Sequence, residues 1–165
     1  MSKAFTREDA ETPEPLPLPL RLEPGEKRLI TADGYRAMQQ ELAQLLEERP
    51  ALVALGSGLE ALARLRDVDA RIQVLNARLS QLTVADPPAD EGRVYFGAYV
   101  TVRDGRGKTL RFRLVGPDEV DATRHFISVQ SPLARALLGR SPGEVVDVEL
   151  PRGDEELTVL SVSYH

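Results

Sequence analysis

Hydrophobic positions along this chain change their spacing, and the change divides it into distinct regions. Across Leu65, Val68, Ile72, Leu75, Leu79 and Leu82 the gaps are 3, 4, 3, 4 and 3, the seam of a coiled-coil helix. Upstream, Tyr35, Met38, Leu42, Leu45 and Leu52 keep a matching rhythm, with Arg49 in the one intervening seam position. Thr31 is the expected N-cap of that first helix. Gly56-Ser57-Gly58 separates the two runs, and so short a connection forces the chain to double back as an antiparallel hairpin. Pro50 lies inside the first helix and is expected to kink or divide it. Asp86-Pro87-Pro88 is expected to end the second.

From Arg93 onward the period falls to two. Val94, Phe96, Ala98, Val100 and Val102 alternate, and so do Leu110, Phe112 and Leu114 after the turn Asp104-Gly105-Arg106-Gly107. This pattern predicts a β-hairpin. His125 to Val129 reads as a third short strand. Ser131 as N-cap, Pro132 at the first helical position and Gly139 past the end mark a short helix. Residues 144–150 and 156–164, separated by Pro151-Arg152-Gly153-Asp154, make a last hairpin. The expected fold class is α+β: an N-terminal antiparallel two-helix coiled coil, then a small antiparallel sheet carrying one helix. The expected boundaries are a leader over 1–28, the hairpin over 29–85, a linker over 86–92 and the sheet domain over 93–165. Pro13, Pro15, Pro17, Pro19 and Pro24 sit among acidic residues in the leader, which predicts a solvated, disordered tail.

Composition narrows the chemistry. The 165 residues include no cysteine, which removes disulfides, thiol nucleophiles and thiolate metal sites and fits a reducing compartment. Histidine occurs only at 125 and 165, so His-rich metal sites are out. No apolar run approaches the roughly 18 residues of a membrane span, and the polar, acidic N-terminus is not a signal peptide. A cytoplasmic protein is expected. The net charge of −5 argues against binding nucleic acid by overall charge. Asp118, Glu119 and Asp121 cluster in GPDEVD, where a solvated turn is a better reading than a cation site. His125 is read as a structural histidine, exposed or hydrogen-bonded. No nucleophile has an evident base, so neither an enzyme, a cofactor nor a metal site is expected. Arg64, Arg71 and Arg78 recur every seven residues beside the seam. They read either as a solvated flank whose stems cover the seam or as a basic stripe facing phosphate or an acidic protein wall.

The hairpin followed by VYFGAYVTV, RFRLVGPDE, FISVQSPLARALLG and PGEVVDVELP resembles the bacterial transcript-cleavage factors GreA and GreB. The opening MSKAFTRE and the run ITADGYRAMQQEL…ERP resemble the GreB branch in particular. The resemblance implies a C-terminal domain of FKBP-like fold that docks at the rim of the RNA polymerase secondary channel. The coiled coil would enter that channel, close to nascent RNA. It implies a docking loop at Ser131, Pro132, Leu133 and Ala134, with Gln130 where the family commonly has an acidic or amide residue. It also raises the functional reading of Arg64, Arg71 and Arg78. A monomer is the simplest expectation for such a probe.

At the tip the chain departs from that family. Cleavage-competent members carry an acidic motif between the helices that helps hold a catalytic metal. Here the tip offers Gly56, Ser57, Gly58 and Glu60, with no aspartate–glutamate pair. Measured from ERP to ARIQVLNARL, the hairpin is shorter than the family form by roughly two heptads, on the order of 10 Å of reach. The leading expectation is therefore a polymerase-binding regulator that does not itself stimulate cleavage. The alternatives are a cleavage-stimulating GreB-type factor that rescues arrested complexes, or a short-hairpin regulator similar to the Rnk group.

Overall fold

The computed structural model describes residues 28–165, so the leader, apart from Arg28, lies outside the described residues. Helix α1 (Ala32–Ala54) and helix α2 (Leu59–Gln81) form the expected hairpin. The seam positions are where the two helices pack: Val68 and Leu75 are buried, and Tyr35, Met38, Leu42, Leu45, Leu52, Leu65, Ile72 and Leu79 are half-buried. Thr31 caps α1, its side chain accepting from the Gly34 N–H at 3.1 Å. Gly56 takes a φ of 74° in the turn, a left-handed conformation that glycine adopts without strain.

The helices differ from expectation in two places. Pro50 does not divide α1, which runs unbroken to Ala54. Pro50 is exposed, so the hydrogen bond it denies the helix is lost where water can replace it. Helix α2 ends at Gln81 rather than at Asp86, because Leu82–Val84 leaves it as strand β2. Strand β1 (Arg28–Ile30) pairs with β2 in parallel, Leu29 opposite Thr83. This small two-stranded sheet closes the hairpin base and buries Ile30 completely.

The C-terminal domain is a five-stranded sheet in the order β5-β4-β3-β7-β6. Its strands are β3 (Tyr99–Asp104), β4 (Thr109–Val115), β5 (Phe126–Ser128), β6 (Val145–Leu150) and β7 (Gly153–Ser163). The two expected hairpins are present, β3 with β4 and β6 with β7. The sheet is mixed rather than antiparallel, since β5 runs parallel to β4. The segment 117–125 crosses over between them. Strand β3 begins at Tyr99, although Val94 and Ala98 before it are buried as the alternation requires. Helix α3 (Pro132–Leu137) has the expected Ser131 cap and lays Ala134 and Leu137 into the core. That core is built from alternate residues: Val100 and Val102, Val146 and Val148, Leu157 and Val159.

Candidate functional site

The GPDE segment (residues 116–119) is where the sheet domain holds the hairpin base. The chain turns there through a short 3-10 element, Pro117–Glu119. Asp118, whose side chain is only 2 % exposed, accepts two hydrogen bonds from Arg28, at 2.5 Å from Nε and 2.6 Å from Nη2. This fork geometry is the strong form of an ion pair. The bonded carboxylate holds the Arg28 guanidinium above its ordinary pKa. Arg78 of α2 approaches the same carboxylate at 3.8 Å. The GPDE carboxylates expected to be solvated are therefore a joint between domains.

Glu119 completes the N-terminus of α1. In a capping box, the residue at the third helical position reaches back to the backbone N–H of the cap. Here that position is Gly34, which has no side chain. Glu119 takes over from the other domain, its Oε2 accepting from the Thr31 N–H at 2.9 Å and its Oε1 from the Thr31 hydroxyl. A Cβ on Gly34 would collide with the Glu119 carboxylate, so the missing side chain makes the room that Glu119 fills. A Cβ on Gly116 would likewise collide with the backbone carbonyl of Leu29. Arg113 adds a further tie, reaching Asp33 in the first turn of α1 at 3.1 Å while lying over the Tyr99 ring. A cleft of about 320 Å³ runs along this joint, lined by Arg71, Arg78, Arg113 and Arg124 together with Asp33, Glu41 and Asp118.

The arginine row is paired within the chain. Arg64 donates to Glu48 at 2.6 and 2.9 Å, and Arg71 to Glu41 at 2.5 and 2.9 Å. These hydrogen bonds pull both glutamates below their ordinary pKa. On another line across the hairpin, Arg49 donates to Asp69 at 2.6 Å, which accounts for an arginine at a seam position. Arg64 and Arg71 thus form a ladder of cross-hairpin bridges with their charges matched, whereas Arg78 shares the Asp118 carboxylate with Arg28.

The segment from Gln130 to Ala134 lies at the start of α3 and contributes no side chain to that joint's cleft. Pro132 is exposed, Ser131 and Leu133 are half-buried, and Ala134 is core. The Gln130 Oε1 is buried with no hydrogen-bond partner among the described residues. Gly56, Ser57, Gly58 and Glu60 are all exposed at the hairpin end. Asp121 keeps its carboxylate for a local turn, accepting from the Thr123 hydroxyl and the Thr123 N–H, and is held below its ordinary pKa by the hydroxyl. His125 is exposed with a φ of 57°, its ring tilted by 34° against that of Phe112 at 5.9 Å. Among the described residues no group of three or more acidic or histidine side chains is arranged to hold a metal ion. No helix there is long and apolar enough to cross a membrane.

Residues 89–164 match the family model described as transcription elongation factor, GreA/GreB, C-terminal. The similarity extends through the hairpin as well. Transcription elongation factor GreB of Yersinia pestis is 38 % identical over 150 residues, covering 82 % of this chain and 88 % of the relative. The chain belongs to the GreA/GreB family. The GreB of Xanthomonas axonopodis pv. citri is 39 % identical over 159 residues, covering 86 % of this chain and 95 % of that one. Among solved structures, the Gfh1 protein of Thermus aquaticus matches at 27 % identity and a TM-score of 0.40, covering 83 % of this chain and 98 % of that one. As a GreA/GreB-family member the protein is a regulatory transcription elongation factor rather than an enzyme. The GPDE joint is the feature that sequence reasoning missed. Its signal was present, since the motif lies in a stretch shared with the family, but four residues rich in Gly, Pro and Asp read locally as a turn.

Proposed function

We propose that this protein is a GreB-type elongation factor that acts in the cytoplasm on RNA polymerase. It binds at the secondary channel as a monomer, with the hairpin inserted toward nascent RNA and the sheet domain held at the rim. The observation that carries this reading is the GreB-level identity, which spans hairpin and sheet domain together instead of the C-terminal part alone. The mixed sheet wrapped on α3 supports the FKBP-like description of the docking domain. Gln130, Ser131, Pro132, Leu133 and Ala134 form its docking segment in this reading: the Ser131 cap and Pro132 fix the loop rigidly, and Pro132 is presented to solvent.

Two outputs are open to such a factor. Similarity to GreB supports stimulation of transcript cleavage better than it supports the non-cleaving regulator expected from the sequence. One feature favours the non-cleaving output: Glu60 is the only carboxylate between Pro50 and Arg64, and a hard cation in an active centre needs several oxygen ligands at short range. The deciding experiment is an RNA-shortening assay on stalled elongation complexes. Shortening that Glu60→Gln abolishes establishes the cleaving factor. Absence of shortening together with competition against a competent Gre factor establishes the non-cleaving one. Neither effect, with no association to polymerase, overturns the proposal. For the docking segment, Pro132→Asn and Ser131→Ala are expected to weaken polymerase association in a folded protein.

A further inference from the structure

The end of the hairpin is built unlike its flanks. From Pro50 to Ala63 the only charged residue is Glu60, in a chain that is 28 % charged overall. Val53, Leu55, Leu59 and Leu62 are 52, 70, 86 and 40 % exposed, and all lie within about one helical turn of the loop. The seam explains none of them, since its own positions, Leu52 and Leu65, are the half-buried ones. Water therefore meets an apolar cap of on the order of 500 Å², near the upper end of what a monomer carries.

We infer that this cap is a docking surface for an apolar recess in the wall of the polymerase channel, resting on the reading of the preceding subsection. The area argues for that occupant over a second copy of the chain. A stable complex buries roughly 800 Å² on each partner, so a tip-to-tip pair would rest on too small an interface. The same patch is ample as a second contact when the molecule is already anchored elsewhere, because the first contact supplies a high local concentration. Each helix has 23 residues, which at 1.5 Å per residue puts the cap about 35 Å from the hairpin base. The joint of Asp118 and Glu119 with Arg28 and Thr31 fixes the base against the sheet domain, so the lever arrives with a defined direction.

The test is the full-length Leu55→Ser/Leu59→Ser variant, with binding to stalled elongation complexes measured by fluorescence anisotropy. Both side chains are largely in water, so the melting temperature is expected to match the parent. Affinity is expected to fall about tenfold, the loss of two partly exposed leucines from a buried contact. Leu55→Asp alone gives a second variant, expected to weaken binding in the same direction. Parent-level binding by both overturns the cap as a contact while leaving the polymerase reading intact. Failure of the parent itself to bind overturns both. Sedimentation supplies the remaining outcome: a dimer of the parent that the double variant abolishes makes a second copy the occupant and overturns the inference.

Discussion

At its base the hairpin is held by charge: a two-bonded Arg28–Asp118 pair, a helix cap completed by Glu119, and Arg113 against Asp33. At its tip the helices carry exposed leucines and a glycine turn. The base bonds are largely shielded from water and join residues about 90 apart in sequence; they fix geometry. Among the described residues the tip makes only the backbone bonds of its own turn and helix ends, such as Gly56 N–H to the Val53 carbonyl, and its leucine side chains stay in water. One hairpin thus combines an end whose orientation is specified with an end whose surface is unspent. The sheet domain therefore aims the hairpin as well as anchoring it.

The sharpest way to break the comparison is to undo the base. Asp118→Ala leaves Arg28, whose side chain is 18 % exposed, without its carboxylate, and Arg78 loses its nearest acidic partner as well. The expected cost is about 3 kcal/mol in chemical denaturation, the order of removing one partner from a buried pair. Gly116→Ala comes next. Its new methyl group would press on the backbone carbonyl of Leu29, which cannot swing away as a side chain could. A loss of about 2 kcal/mol is expected, in the range of overpacking a close contact. Equal stability of either variant to the parent would show that the joint does not hold the domains.

These two sites also show where the sequence was legible. The 3.5-residue seam, the period-two strands, the Thr31 and Ser131 caps and the Gly56 turn were readable because each rests on side chains close together in the chain. What escaped reading depends on distant partners. Strands β1 and β2 have three residues each, too few for a period, and exist because they pair. The parallel β5 follows from the crossover that the GPDE joint begins, and direction leaves no mark in a three-residue strand. Gly34 stands in the first turn of α1, and only Glu119, from the other domain, explains it. The candidate docking segment was locally legible as a cap and a proline. Its orphaned Gln130 oxygen was not, because burial is a property of the folded neighbourhood.

The tip end can be sharpened in the opposite direction. Pro50 sits in an exposed stretch of α1, one turn before the loop. Pro50→Ala restores a backbone donor to a helix that already continues through it. Because proline also stiffens the unfolded chain, the gain is expected to be about 1–2 kcal/mol rather than the full helix-propensity difference of about 3. Thermal unfolding followed by circular dichroism checks it, and a loss of helix in the variant would mean that proline shapes the end of α1.

The smallest effect concerns the ladder between base and tip. Arg71 and Arg64 hold Glu41 and Glu48 below their ordinary pKa through direct hydrogen bonds. A carboxylate with a lowered folded pKa stabilises the fold above its unfolded value, near 4.3 for glutamate. That contribution disappears as pH falls through the lowered folded value. The parent hairpin should therefore lose stability on acidification across that window, and Arg64→Gln/Arg71→Gln should lose less, because its glutamates have little left to forfeit. These side chains are largely in water, so the difference in slope is expected to be small and to shrink further with added salt. Melting temperatures of the two proteins at pH values on either side of the window check the sign. Parallel curves would mean that these two bridges hold geometry without holding stability, which would shift the electrostatic anchoring of the hairpin toward its base joint.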